Sequence, residues 1–167
     1  MRKELYWIGG VWPGKLGVGP RPRGGDWLAD DVEGWKREDV NAVLSLLTAE
    51  EETDLDLTAE ASEIRKQGMQ FTSFPIADRQ IPKSEATWAE LLENLSRDLW
   101  NGKNVLVHCR QGIGRSGLTA ACLLVKKGMS PGAAVELVSA VRGLTIPETP
   151  EQRDWIDRFA VGESVLR

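Results

Sequence analysis

Apolar positions along the chain fall into two kinds of run. Short dense runs, "ELYWIG" from Glu4, "AVLSLLT" from Ala42 to Thr48, "MQFTSFPI" from Met69 and "KNVLVHC" ending at Cys109, read as strands. The last is continuously apolar before its His-Cys end, which suits a central strand covered on both faces. Longer runs follow helical spacing. "TAEASEIRKQG" has a capping residue in Thr58, an early Glu, late basic residues and Gly68 as a stop. Ser84 caps a long amphipathic helix whose apolar stripe is Trp88, Leu91, Leu92, Leu95 and Leu99. "RSGLTAACLLVKKG" predicts a buried helix ended by two lysines and Gly128. Ser130 with Pro131, and Thr149 with Pro150, start two more. A Gly/Pro-rich loop follows the first strand, and a polar acidic stretch follows Thr48.

Strands alternating with helices predict an α/β fold, a three-layer sandwich with a mainly parallel central sheet and helices on both faces. With 167 residues, 41% of them hydrophobic, the chain is long enough for one sizeable core, so residues 1–167 are expected to form a single domain. The net charge of -4 gives a field that favours neither nucleic acid nor an anionic membrane. Between Val11 and Gly25 the charges are Lys15, Arg21 and Arg23 with no acid among them, a solvated loop or a contact for an anionic substrate. The start "MRKELYWIGGVWPG" has only a short apolar piece broken by glycines, and no window reaches the length of a membrane span; a cytoplasmic protein is expected. The two cysteines, Cys109 and Cys122, do not make a disulfide framework.

The chemistry concentrates in "HCRQGIGRS". In an open α/β sheet, ligands gather at the carboxyl ends of the strands, where His108 and Cys109 fall. Five residues, Arg110, Gln111, Gly112, Ile113 and Gly114, separate Cys109 from Arg115. The glycines let successive backbone N–H groups turn inward as an anion-binding nest, and the helix that follows adds its positive end. Arg115 offers a planar fork to two phosphate oxygens. The same field favours a thiolate, since cysteines at helix N-termini beside positive charge ionise well below their usual pKa of about 8.5. Such a sulfur is a nucleophile for phosphorus.

These residues resemble the His-Cys, five residues, Arg, Ser/Thr signature of the cysteine-dependent protein tyrosine and dual-specificity phosphatases, with His108, Cys109, Arg115 and Ser116 in its fixed positions. "FPIADRQIP" is similar to the acid loop of kinase-associated and small bacterial dual-specificity phosphatases, with Asp78 as the matching acid; a weaker likeness reaches "PRPRGGDWL" and "PETPEQ". The resemblance implies that Cys109 attacks, Asp78 protonates the leaving oxygen and then takes a proton from water, and Arg115 with the amides from Arg110 to Arg115 stabilises the transition state. It also implies that Ser116 hydrogen-bonds the sulfur and that His108 holds the loop from behind. The implied protein is a monomer that needs no metal or cofactor and acts on a phosphorylated protein or peptide.

Other readings remain beside these. Asp78 stands before Arg and near Pro, as a plain turn residue does. Gln152 either positions a water or closes the capping box Thr149-Pro-Glu-Gln152, which would occupy its side chain. Cys122 is core or the partner of a reversible disulfide with Cys109. Trp12 and Trp27 flank the basic loop, as core anchors or cleft walls. His108 is the only histidine, so a multi-histidine metal site lacks its parts. A non-protein ester (phosphoinositide, nucleotide or RNA 5' end) and a phosphate-binding module without turnover are the alternatives in function. The absence of lysine within the loop disfavours the lipid, and the acidic charge disfavours RNA. No tyrosine-stacking motif is recognisable, so a shallow, dual-specificity pocket is expected.

Overall fold

The computed structural model describes residues 5–166. Its sheet has five strands in the order β1-β2-β5-β3-β4: β1 (Tyr6–Ile8), β2 (Leu16–Pro20), β3 (Ala42–Ser45), β4 (Gln70–Ser73) and β5 (Val105–Cys109). β1 runs antiparallel to β2 and every other pairing is parallel. The continuous apolar run before Cys109 is therefore the middle strand, fully buried. Its register sets Cys109 opposite Pro20 and His108 opposite both Gly19 and Ser45.

Alternate side chains of β5 face different layers. Val105, Val107 and Cys109 join a core built with α4 (Glu85–Trp100), α5 (Gly114–Lys127), α6 (Pro131–Arg142) and α7 (Pro150–Leu166). Leu106 joins the opposite core, with Leu28, Val32 and Trp35 of α1 (Leu28–Arg37) and Ile64 of α3 (Glu60–Lys66). This is the expected three-layer α/β sandwich with helices on both faces. The α4 stripe Trp88, Leu91, Leu92, Leu95 and Leu99 is buried as its spacing predicts, each large side chain contributing about 1.5–3 kcal/mol by leaving water. The Oγ of Ser84 accepts from Thr87 N at 3.2 Å, and that of Ser130 accepts from Ala133 N at 3.2 Å, as capping residues.

Three elements lie where the sequence pattern shows none. β2 occupies the Gly/Pro-rich stretch. Its two glycines hide the strand pattern, but Gly17 lies under the Trp7 ring, where a Cβ would come within 2.8 Å of Cζ3. α1 follows directly from a turn of 3₁₀ helix at Gly25–Trp27, and its N-cap residue Trp27 gives no side-chain hydrogen bond to mark the start. α2 (Ala49–Asp54) is the acidic stretch after Thr48, and a capping box between Thr48 and Glu51 turns it into helix. α3 begins at Glu60 with Ala59 as its cap residue, not at Thr58. The predicted first strand begins at Glu4, outside the described residues; β1 itself starts at Tyr6. β4 stops at Ser73, yet Phe74 N and Ile76 N still donate to Ser45 O and Leu46 O at 2.9 and 3.0 Å. The acid loop thus leaves the sheet alongside the end of β3. Among the described residues no helix is long and apolar enough to cross a membrane.

Candidate active site

β5 delivers Cys109 to the end of the sheet, and residues 110–113 carry the chain into α5. The thiol is 2% exposed, and Gly112 N donates to its Sγ at 3.3 Å. Ile113 caps α5 without a side-chain hydrogen bond, so the positive end of that 14-residue helix is left open toward the sulfur. Gly112 has φ +74° and lies against the backbone of Gly19, where a Cβ would be 2.4 Å from the carbonyl carbon. Only glycine fits that conformation and that gap.

The loop is braced on several sides. Arg21 N donates to Arg110 O at 3.3 Å, and Leu46 N donates to His108 O at 3.0 Å. From the end of α6, Arg142 Nε and Nη2 donate to Gly112 O and Gln111 O at 2.9 and 3.0 Å, while its guanidinium lies over the Tyr6 ring. Behind the loop, His108 is fully buried, its Nε2 is 2.5 Å from Glu60 Oε2, and its Nδ1 is 3.4 Å from Cys109 O. Holding the loop from behind is the place the sequence assigns to His108; Glu60, its partner from α3, reads in sequence only as an early helix acid.

Arg115 is 2% exposed and locked in place. Nη1 and Nη2 donate to the two Glu51 carboxylate oxygens at 2.6 and 2.9 Å, Nη1 also donates to Ile76 O at 2.8 Å, and Nη2 reaches Asp78 Oδ1 at 3.3 Å. Burial pushes the Glu51 carboxyl up, but the hydrogen bonds from Arg115 and from Thr48 N outweigh it and hold the group below the usual carboxylate range. Burial likewise opposes charge on Arg115, and the Glu51 bond with the nearby Cys109 and Asp78 raises its pKa instead. Glu51 is invisible to motif reading because it lies 64 residues from Arg115 in a stretch that looks merely acidic.

Asp78 is 56% exposed, on the loop between β4 and α4. It lines a cavity of about 50 Å³ together with Cys109, Arg110, Gln111, Arg115 and Glu148. The signature loop and the acid loop therefore meet, as their sequences imply. Glu148 is a lining residue that the sequence reading does not single out. Gly114 lets it approach: a Cβ there would stand 2.7 Å from Glu148 Oε1. Ile113 is partly buried and packs against the core.

Two expected roles are altered by the geometry. Ser116 Oγ is buried with no hydrogen-bond partner among the described residues, so it makes no bond to the sulfur here. Gln152 is fully buried and closes the capping box: Oε1 accepts from Glu148 N and Thr149 N at 3.1 and 3.3 Å, Thr149 Oγ1 accepts from Gln152 N, and Nε2 donates to Gln80 O at 3.1 Å. It ties α7 to the acid loop and does not line the cavity.

The remaining candidates stand apart. Arg23 is paired with Asp31 at 2.6 Å, Trp12 is buried in the core, and Trp27 is 57% exposed with Arg23 over its ring. A larger cleft of about 420 Å³ between Pro20–Arg23 and α1 contains neither the cysteine nor the acid loop. Cys122 is fully buried and burial pushes its thiol far up. It lies eight residues into α5, about 12 Å along the helix axis from Gly114. Both cysteines are free. Among the described residues no group of three His, Cys, Asp or Glu is placed to hold a metal ion.

The rat cyclin-dependent kinase inhibitor 3 is 37% identical over 87 residues, which cover 51% of this chain and 41% of that protein. The human protein of the same name matches equally, so the chain spans less than half the length of the curated relatives it matches. Among solved structures, kinase associated phosphatase with its catalytic cysteine changed to serine superposes with a TM-score of 0.90 at 23% identity, covering 98% of this chain and 97% of the other. Tk-PTP in its active form gives 0.79 at 26% identity, covering 96% and 99%. A family model described as the Swiss Army Knife protein, DSP-PTPase phosphatase domain, matches residues 8–157, nearly the whole of the described fold, and to that family the chain belongs.

Proposed function

We propose that the chain is a cysteine-dependent phosphatase that hydrolyses phosphotyrosine, and phosphoserine or phosphothreonine as well, in phosphorylated proteins or peptides through a phosphocysteine intermediate. One observation carries the reading: Cys109 Sγ lies under a loop amide at the open positive end of α5, in the same 50 Å³ cavity as Arg115 and Asp78. A phosphoryl group at that point meets fixed donors, so little reorganisation is needed as charge spreads in the transition state.

The chemistry follows from the contacts. Arg115 holds Asp78 by its longest carboxylate bond, 3.3 Å, and its Nε has no hydrogen bond among the described residues. An incoming phosphate competes with Asp78 for Nη2 and takes Nε beside it, while Glu51 keeps the fork in place. Asp78, released, protonates the leaving oxygen as Cys109 attacks in line. The amides of residues 110–115 receive the equatorial oxygens. Ser116, whose hydroxyl is uncommitted, donates to the sulfur when the thiolate is re-formed. His108 holds the loop through Cys109 O and Glu60. The chemistry draws on no metal or cofactor, and a nucleophilic thiol suits a reducing, cytoplasmic setting.

The direct test is hydrolysis of p-nitrophenyl phosphate with EDTA present. Wild type is expected to turn over, Cys109→Ser to be inactive, and Asp78→Asn to lose about 10²–10⁴-fold in rate. Phosphate or vanadate binding without turnover in the wild type would favour a binding module; turnover in Cys109→Ser would remove the proposed nucleophile.

A further inference from the structure

The cation that braces the signature loop has no acid of its own. Arg142 ends α6, and among the described residues it meets no carboxylate. Its guanidinium is held between two loop carbonyls, Gly112 O at 2.9 Å and Gln111 O at 3.0 Å, and the face of Tyr6, 4.3 Å from the ring centroid. Tyr6 is the chain's single tyrosine. It lies on β1, two strands from β5, half-buried against the core and paired in register with Val18.

What the brace does to the sulfur follows from the peptide between Gln111 and Gly112. That peptide is trans, so its C=O and N–H point in opposite directions. Arg142 Nη2 donates to the C=O end, and the N–H end donates to Cys109 Sγ at 3.3 Å. A charged donor on the carbonyl polarises the unit and strengthens its N–H as a donor. The guanidinium, carrying a charge that no acid offsets, therefore favours negative charge on the sulfur. A side chain this long turns freely unless something fixes its plane. An aromatic face does so for a guanidinium without neutralising it, as a carboxylate would.

We propose that Tyr6 is a positioning residue for Cys109, acting through Arg142 and the Gln111–Gly112 peptide. In the phosphocysteine reading, on which this inference rests, the thiolate must be present for attack and be re-formed in the second step. Asp78, Arg110, Arg115 and Glu148 share the cavity with Cys109, and His108 lies behind it. All five remain in variants at Tyr6, so a change at the sulfur that also needs Arg142 reports this route.

The test reads the sulfur directly. Wild type, Tyr6→Phe, Tyr6→Leu, Arg142→Ala and the double variant Tyr6→Leu/Arg142→Ala are alkylated with iodoacetamide across neutral and acid pH, and labelling at Cys109 is followed by mass spectrometry. Tyr6→Leu is expected to raise the pH midpoint of labelling by about 0.5 and to lower kcat/KM for p-nitrophenyl phosphate about three- to tenfold. Tyr6→Phe, which keeps the ring, is expected to restore the midpoint, and kcat/KM to within about twofold. In the Arg142→Ala background the Leu change is expected to add less than about twofold. A wild-type midpoint and rate in Tyr6→Leu overturns the role of Tyr6. An equal loss in both backgrounds also overturns it, since a merely structural side chain acts without Arg142. A loss in Tyr6→Phe as large as in Tyr6→Leu moves the effect to the hydroxyl and overturns the part given to the ring. A wild type whose Cys109 is alkylated while p-nitrophenyl phosphate stays intact sinks the phosphocysteine reading instead, and leaves the labelling profile to judge Tyr6. If Tyr6→Leu does not fold, as judged by its melting curve, Tyr6→Met is held to the same bounds.

Discussion

Glu51 holds Arg115 by both ends of its guanidinium, at 2.6 and 2.9 Å, inside the protein and 64 residues away in sequence. Arg115 thus enters the site already oriented, and the carboxylate that orients it owes its own place to the capping box of α2. Replacing Glu51 with Ala leaves a buried cation unpaired, which costs about 3–5 kcal/mol, and frees the fork to rotate. The expected result is a lower denaturation midpoint together with at least a hundredfold loss of p-nitrophenyl phosphate hydrolysis; unchanged activity would remove Glu51 from the site.

The same pair gives the fold an acid sensitivity of known sign. The folded Glu51 carboxyl lies below its ordinary value of 4.5, so its contribution is complete above about that pH and is lost as pH falls through the lower folded value. Melting temperature followed from pH 6 downward is expected to drop less steeply below about pH 4.5 in Glu51→Gln than in wild type.

Arg142 braces the signature loop through two carbonyls. Arg142→Ala is expected to cost about 1–2 kcal/mol in stability, and about tenfold or more in turnover because the donors under the phosphate shift. Arg142→Lys, which cannot span both carbonyls as a planar fork, is expected to recover only part of the loss. Paired urea melts and steady-state rates check both.

Gly112 is bounded by its φ of +74° and by the Gly19 backbone. Gly112→Ala is expected to lose at least about 2 kcal/mol and nearly all activity, since the loop must move away from β2. Wild-type melting and activity in that variant would contradict the close approach.

Burial keeps Cys122 a thiol. Brief iodoacetamide treatment near neutral pH is expected to label Cys109 alone and to abolish turnover, while Cys122→Ala retains activity. Mass spectrometry of the labelled peptides distinguishes the two sites.

What the sequence reveals is what the chain keeps contiguous. Cys109, the loop amides and Arg115 fit within one strand, one turn and one helix start, so their spacing alone carries the geometry. Asp78 is legible because its loop has a recognisable composition. Glu51, Glu60, Arg142 and Glu148 are not legible, because each occupies a position that reads as an ordinary solvated charge and gains its meaning only from packing. Gln152 shows the converse: the capping-box pattern correctly states where its side chain goes, and that commitment takes it out of the cavity. β2 escapes notice because two glycines erase its alternation, although one lies under the Trp7 ring and the other against Gly112.

All twelve residues of α5 from Gly114 to Val125 are buried. The element that aims positive charge at Cys109 is thus also the middle of the core, and the proposed anion site has no stiffness separate from that of the whole molecule. Heat or denaturant should abolish phosphate binding and unfold the chain together. The loop around Asp78 is tethered more lightly: the Asp78 carboxylate meets Arg115, the Arg79 side chain donates to Glu148, and the Gln80 carbonyl oxygen accepts from Gln152 Nε2. A substitution in that loop is borne by a few contacts, whereas one in α5 is borne by the core.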